Sequence, residues 1–409
     1  MNLLVVSSCS RGCIFSSLLL LTISSLACNR DAPVLQQQAT LLNNLVVLPV
    51  RVNGSQPLPF ILDTGASVTV IDRRQAASLG FAVGGGVGVA TGGGAVDASE
   101  INGIALQIGE QTLPDLTVVA IDLSGLAAGL GQHVAGILGY DIFRRYVVSI
   151  DYRAGLVTLH EPAQYVGPGT GEIVPVSVEE QVPFIRAQVV GVQGPSEAKL
   201  EFDTGKTGAL TLTRGFVEAN MLLKTGQREV AITAGALLPG QVPATVTRIQ
   251  GLQIGQLNVR DVVTTVVPTQ DAAGVSGDTV GILGAELLKR FTVVVDYSRS
   301  RVILIARSAA PPPDGDDDPI EFDMSGMSLA AQAPDYRDYV VRTVIAQSPA
   351  ADAGVQNGDR LIAIDGRPAR ELALGEIREL FRKDGRQYVL QLQRGEAVIR
   401  TEIRTRRLL

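Results

Sequence analysis

The sequence predicts a mainly β protein in which two homologous lobes precede a smaller C-terminal domain, and three observations carry that expectation. First, the tripeptide Asp-Thr-Gly occurs twice, at Asp63-Thr64-Gly65 and Asp203-Thr204-Gly205, each time after a short apolar run that reads as a buried strand. Second, other landmarks recur in the same order. Leu106-Gln107-Ile108-Gly109 returns at Leu252-Gln253-Ile254-Gly255, Gly136-Ile137-Leu138-Gly139 at Gly281-Ile282-Leu283-Gly284, and Asp151-Tyr152 at Asp296-Tyr297. The spacing stays between 140 and 146 residues, and such drift is what loop insertions produce, because lengthening a surface loop costs little entropy. A period this long belongs to duplicated lobes rather than to a solenoid or propeller. Third, 44 Gly, 20 Pro and valine-rich runs such as Tyr146-Val147-Val148-Ser149-Ile150 and Phe291-Thr292-Val293-Val294-Val295 favour strands and turns over helices.

Taken from the N-terminus, residues 1–28 have the character of a targeting segment. Arg11 gives a basic start, an apolar stretch spans 14–26, and Ala27-Cys28 closes it; the stretch falls short of the roughly 20 residues a spanning helix needs. Export to a bacterial cell envelope is the expectation. Ser25-Leu26-Ala27-Cys28 resembles a lipobox with its leucine one place late, which leaves two readings open: Cys28 carries lipid and tethers the chain to a membrane, or the signal is cleaved and the protein is free in the periplasm. All three cysteines, Cys9, Cys13 and Cys28, lie in this segment, so the mature chain holds no internal disulfide. Residues 29–39 read as a polar tether, 40–162 as the first lobe and 171–308 as the second. Residues 309–319, rich in Pro and Asp, read as a stiff acidic linker that holds the domain at 320–407 apart from the lobes.

The residues around both triplets resemble the retropepsin-type aspartic proteases, with both halves on one polypeptide. Phe60-Ile61-Leu62 leads into Asp63 and Ile137-Leu138-Gly139 follows; Leu200-Glu201-Phe202 leads into Asp203 and Ile282-Leu283-Gly284 follows. The resemblance spans 40–306. It implies retropepsin-like β-barrel lobes joined in a pepsin-like bilobal unit, with a glycine-rich flap hairpin from each lobe at 83–98 and 231–247. Neither flap segment has the tyrosine of pepsin flaps, and Gly84-Gly85-Gly86 and Gly92-Gly93-Gly94 lack the following Lys-Ser/Thr of a phosphate-binding loop. A mobile hairpin is the better reading.

Asp63 and Asp203 are the implied catalytic pair. Two carboxyls held roughly 3 Å apart cannot both ionise, so they keep one proton between them and act as base and acid together on water and the peptide carbonyl. Thr64, Gly65, Thr204 and Gly205 are the implied supports of the two turns. Such chemistry needs no metal ion and no organic cofactor. Lys206 departs from the pattern, standing where the first copy has Ala66. An inward lysine would favour two ionised carboxylates, whereas a lysine reaching water, the expected arrangement, would do little.

In the C-terminal domain, Ser348-Pro349-Ala350-Ala351-Asp352-Ala353-Gly354-Val355 and Asn357-Gly358-Asp359-Arg360-Leu361-Ile362-Ala363-Ile364-Asp365-Gly366 resemble the PDZ family. The pattern fits a short helix, a turn and a strand ending in a tight Asp-Gly turn. PDZ domains add an extended peptide to a sheet edge while a loop of backbone N–H groups receives its carboxylate. Gly326, Met327, Ser328 and Leu329 resemble that loop, with serine in place of the second glycine. Leu374, Ile377, Leu380 and Phe381 sit at helical spacing, either lining the groove or filling the core.

A net charge of −6 with scattered basic residues leaves no nucleic-acid footprint. His133 and His160 are too few for a triad or metal site. The expectation is a monomeric hydrolase, an aspartic endopeptidase acting on a protein or peptide substrate, with the PDZ domain binding substrate or a partner peptide. The alternatives are a catalytically inactive peptide-binding protein disabled by Lys206, and an adaptor acting through its PDZ domain.

Overall fold

The computed structural model describes residues 32–306 and 320–409, apart from 85, 92–93 and 235–241. The signal segment with Cys28 and the 309–319 linker lie outside the described residues. Two eight-stranded sheets repeat one topology. In the first lobe the Leu45–Val52 strand pairs with Leu58–Leu62, which runs parallel to Gly136–Leu138, and that short strand lies in turn against Val70–Asp72. The second lobe repeats the arrangement with Val182–Gly191, Gly194–Phe202, Thr279–Leu283 and Leu210–Thr213. In each lobe the opening strand also pairs with a long strand, Gly94–Ile108 or Val242–Ile254, which rolls the sheet toward a closed barrel. The flap segments form antiparallel hairpins, Val87–Thr91 with the start of Gly94–Ile108 and Val230–Ala234 with the start of Val242–Ile254.

Threading a third strand between two others needs room. Gly136 supplies it, since a Cβ there would stand 2.1 Å from the Phe60 ring and 2.4 Å from the Val70 carbonyl. Gly281 does the same in the second lobe, 2.0 Å from the Thr211 carbonyl.

A six-stranded antiparallel sheet joins the lobes. Val147–Asp151 and Phe291–Asp296 pair at its centre, with Leu156–His160 and Leu35–Gln38 on one side and Arg301–Ala306 and Glu172–Pro175 on the other. Alternation along these strands buries Val148, Ile150, Val293 and Val295 in an apolar core that runs through both lobes, while Val147 and Val294 pack on the opposite face.

The C-terminal domain has its own sheet, ordered Met327–Gln332, Asp338–Val344, Arg360–Ile364, Gln387–Arg394 and Ala397–Arg404. Ser348 caps the short Pro349–Asp352 helix. Asp365 and Gly366 turn the chain at φ 51° and 81°, the left-handed pair that an Asp-Gly hairpin turn requires. On the Leu374–Phe381 helix, Leu374, Ile377 and Phe381 are core residues and Leu380 packs partly against them. Among the described residues no helix is long and apolar enough to cross a membrane.

Gly136→Ala is expected to destabilise the protein by about 2 kcal/mol or more, because the backbone carbonyl and the packed ring it meets cannot both retreat. Gly84→Ala, with nothing within 4 Å of the new carbon, should leave the urea midpoint unchanged. Equal midpoints for the two would contradict the threaded-strand account.

Candidate active site

The strands Leu58–Leu62 and Gly194–Phe202 deliver Asp63 and Asp203 to the junction of the lobes. Each turn is tied to its own lobe through the backbone, Asp63 N donating to the Leu138 carbonyl at 3.0 Å and Asp203 N to the Leu283 carbonyl at 3.0 Å. Each is also tied to the other lobe through threonine. Thr64 N donates to Thr204 Oγ1 and Thr204 N to Thr64 Oγ1, both at 3.0 Å, while Thr64 Oγ1 donates to the Phe202 carbonyl at 2.6 Å and Thr204 Oγ1 to the Leu62 carbonyl at 3.0 Å. Both threonines are fully buried. Only a hydroxyl can accept one N–H and donate to one carbonyl at this spot, which explains the residue type.

The glycines explain how closely the turns approach. A Cβ on Gly205 would stand 2.2 Å from Asp63 Cγ, and one on Gly65 would stand 2.8 Å from Asp203 Cγ. Each aspartate also accepts the N–H of its own triplet glycine, at 2.8 Å for Gly65 and 2.7 Å for Gly205.

The two carboxyls face each other across the glycine turns, each half-buried. Burial pushes Asp63 well above the usual carboxylate range, and repulsion from Asp203 and the hydrogen bond between the two add to it, against the Gly65 N–H. Burial also raises Asp203, but the bond from Asp63, the Lys206 ammonium and the N–H groups of Gly205 and Lys206 pull it back. Asp63 is thus the more strongly raised of the two, and the proton they share belongs to the pair.

Two features differ from the sequence reading. Lys206 is half-buried rather than free in solvent, and its charge acts on both Asp203 and Glu201. Glu201 was absorbed into an apolar run, yet it is a buried carboxyl beside the pair. The signal was in the repeat itself, since Glu201 occupies the position of Ile61.

The PDZ domain does not stand apart. Its Met327–Gln332 edge strand and its Leu374–Phe381 helix, the two walls of the expected groove, both meet the Ser124–Leu130 helix of the first lobe. Arg378 donates to the Gly129 carbonyl at 2.7 Å, a cation at a helix C-terminus. Gly131, which ends that helix at φ 74°, lies against Leu374, so closely that a Cβ would stand 2.5 Å from the Leu374 Cβ. Burial pulls Arg378 down to about 10, which leaves it a cation at neutral pH. Tyr336, from the loop after the edge strand, lines a pocket with Asp72, Arg74, Ser124 and His133 of the first lobe.

The expected carboxylate loop is also engaged from within. Asp323 accepts the N–H groups of Ser325 and Gly326, at 2.9 and 2.7 Å, and Ser325 Oγ accepts that of Met327 at 3.2 Å. Met327 and Leu329 are core residues and Ser328 is exposed, its hydroxyl paired with Thr343 at 2.6 Å. Burial pushes Asp323 up to about 6, against the hydrogen bonds it accepts.

Glu286 joins all three domains. It lies just past the Gly281-Ile282-Leu283-Gly284 segment, and its carboxylate meets Asn44 of the first lobe, Lys289 at 3.0 Å and Arg382 of the PDZ domain at 3.4 Å. Burial alone would raise this carboxyl; Arg382, Lys289 and Asn44 outweigh it and hold it below its ordinary value.

Comparison with known proteins gives the class of two regions of the chain. Residues 48–142 match the family model described as aspartyl protease, and residues 340–394 match the model described as PDZ domain. The chain thus carries a retropepsin-like aspartic protease region and a PDZ domain on one polypeptide. Among solved structures it is similar to an aspartic proteinase from Irpex lacteus, with 16% identity and a TM-score of 0.43 over 67% of this chain and 97% of that one. No curated protein matches the chain.

Because the Glu286 carboxyl is held low in the folded protein, its contribution is present above the ordinary carboxylate value and is lost as pH falls below it. Glu286→Gln is expected to cost roughly 2 kcal/mol at neutral pH, and the gap to the wild type in thermal midpoint should close on acidification. A gap that persists with Glu286 protonated would show that charge is not what joins the domains.

Proposed function

We propose that the chain is an aspartic endopeptidase that hydrolyses peptide bonds in extended protein or peptide substrates, with Asp63 and Asp203 as catalytic residues. The observation that carries the reading is the apposition of two half-buried carboxyls on turns cross-bonded by Thr64 and Thr204, an arrangement a scaffold or adaptor has no use for. In this reading Asp203 takes a proton from a water whose oxygen bonds to the peptide carbonyl carbon, while Asp63 gives its proton to the carbonyl oxygen. The resulting diol collapses as the C–N bond breaks; the proton on Asp203 passes to the leaving nitrogen and Asp63 recovers a proton from the diol. In this reading the two hairpins serve as lids.

The Lys206 ammonium, the argument for a disabled site, lowers Glu201 as well as Asp203, so its charge does not fall on the aspartate pair alone. The PDZ domain binds peptide in this proposal only after leaving the first lobe, because the Ser124–Leu130 helix lies across its groove. Residues 1–28 support export to the cell envelope, with Cys28 as the lipid-bearing residue if the segment acts as a lipoprotein signal.

The test is hydrolysis of an unstructured protein. Asp63→Asn and Asp203→Asn are each expected to lower kcat/KM by roughly 10⁴-fold or more, with the double substitution no worse, since groups that act as one unit are not additive. Substantial activity in either single variant would remove the pair from contention.

A further inference from the structure

Two of the positions at which the second lobe departs from the first beside its aspartate hold ionisable residues. Two residues before Asp63 stands Ile61, and two before Asp203 stands Glu201, 2% and 8% exposed. Directly after Gly65 comes Ala66, and directly after Gly205 comes Lys206. A strand position in a barrel wall is apolar by default, because an ionisable group there loses its water. Glu201 lies between Phe184 and Ile282 on the neighbouring strands, neither of which titrates. Its Oε1 and Asp203 Oδ1 stand 2.8 and 2.9 Å from the point a Cβ on Gly65 would occupy. Three carboxyls therefore crowd the two glycine turns, with one ammonium at their edge.

We infer that Glu201 is a third carboxyl of the active centre, a positioning residue that acts with Lys206 to widen the pH range over which the Asp63–Asp203 pair keeps a single proton. The inference rests on the proteolytic reading above and extends it. Burial, then repulsion from Asp203, pushes Glu201 well above the ordinary range, with Lys206 opposing. Once ionised, Glu201 adds its charge to that of Asp203 in holding the proton on Asp63. Lys206 acts at the other end of the range, helping Asp203 to stay ionised against its burial. One departure thus raises the upper titration of the pair and the other lowers the lower one, so the two widen its working range from opposite sides. Tyrosines also lie close to the cluster: Tyr152, pushed up by burial and then by Asp203, and Tyr297, stacked on Tyr140 at 5.9 Å between ring centres. Burial, Tyr140 and the three carboxyls push Tyr297 up, so it stays neutral throughout.

The experiment measures kcat/KM for an unstructured protein from about pH 3 to 8, using the full chain and the variants Glu201→Gln and Lys206→Met. Glu201→Gln should move the basic limb of the profile toward acid by about one pH unit and leave the acidic limb in place. Lys206→Met should move the acidic limb toward neutral by a similar amount, and the double variant should narrow the profile from both sides. An unmoved basic limb in Glu201→Gln, or a shift of the same limb in both variants, overturns the inference.

A second readout is independent of activity. A carboxyl raised on folding contributes stability that is present below its ordinary value and lost as pH rises through its folded one. The wild type should therefore lose thermal stability over that interval more steeply than Glu201→Gln. A constant difference in thermal midpoint across pH overturns the inference. Should Glu201→Gln fail to fold, Glu201→Ile, which restores the first lobe's residue, carries both measurements. Absence of hydrolysis by the wild type would refute the proteolytic reading, whereas the stability comparison would still decide whether Glu201 is a strained buried carboxyl.

Discussion

Everything in the active centre depends on holding two carboxyls in contact against their mutual repulsion and their loss of water. Neither burial nor strand pairing within one lobe does this, because the force to be resisted acts between the lobes. The reciprocal threonine bonds do, since each hydroxyl bonds the backbone of the opposite turn through both its proton and its lone pair. The shared apolar core beneath and the six-stranded sheet keep the two turns in register. The glycines then permit the approach by leaving no side chain where the opposite aspartate must be.

Duplication made a symmetric frame, and the chemistry calls for asymmetry. A pair with one proton works best when one member is decidedly the acid and the other the base. In the Thr64 and Thr204 framework the lobes are equivalent, whereas around the carboxyls the second lobe alone has charge to spare. Glu201 and Lys206 sit on one side of the approximate twofold, and on the inference drawn above they bias the proton toward Asp63. The same two residues would each be harmful alone, one by loading a third negative charge beside the pair and the other by ionising both aspartates.

The C-terminal domain bears on the site through packing rather than through the linker. Its groove walls meet the Ser124–Leu130 helix, and the apolar face of that helix packs with Ala66 and Val68, just past the first Asp-Thr-Gly turn. Glu286 makes a second connection from the matching segment of the other lobe. The domain is thus placed where its docking touches the scaffolding of both aspartates.

The sequence by itself determined the duplication, the mainly β class, the two aspartates with their threonines and glycines, and the PDZ pattern. These are local or repeated features, set by turn chemistry and strand periodicity, and they survive without knowledge of neighbours. Only the tertiary structure decided the rest. Glu201 read as a polar interruption of a strand until folding brought it beside Gly65, and Lys206 read as a solvent-seeking lysine until its surroundings half-buried it. The linker's stiffness said nothing of the docked domain, because domain placement follows from surfaces far apart in sequence, here Gly129 against Arg378 and Glu286 against Arg382. The loop at Gly326 looked free to receive a carboxylate because its own acceptor, Asp323, is three residues away and recognisable as such only once the turn closes around it.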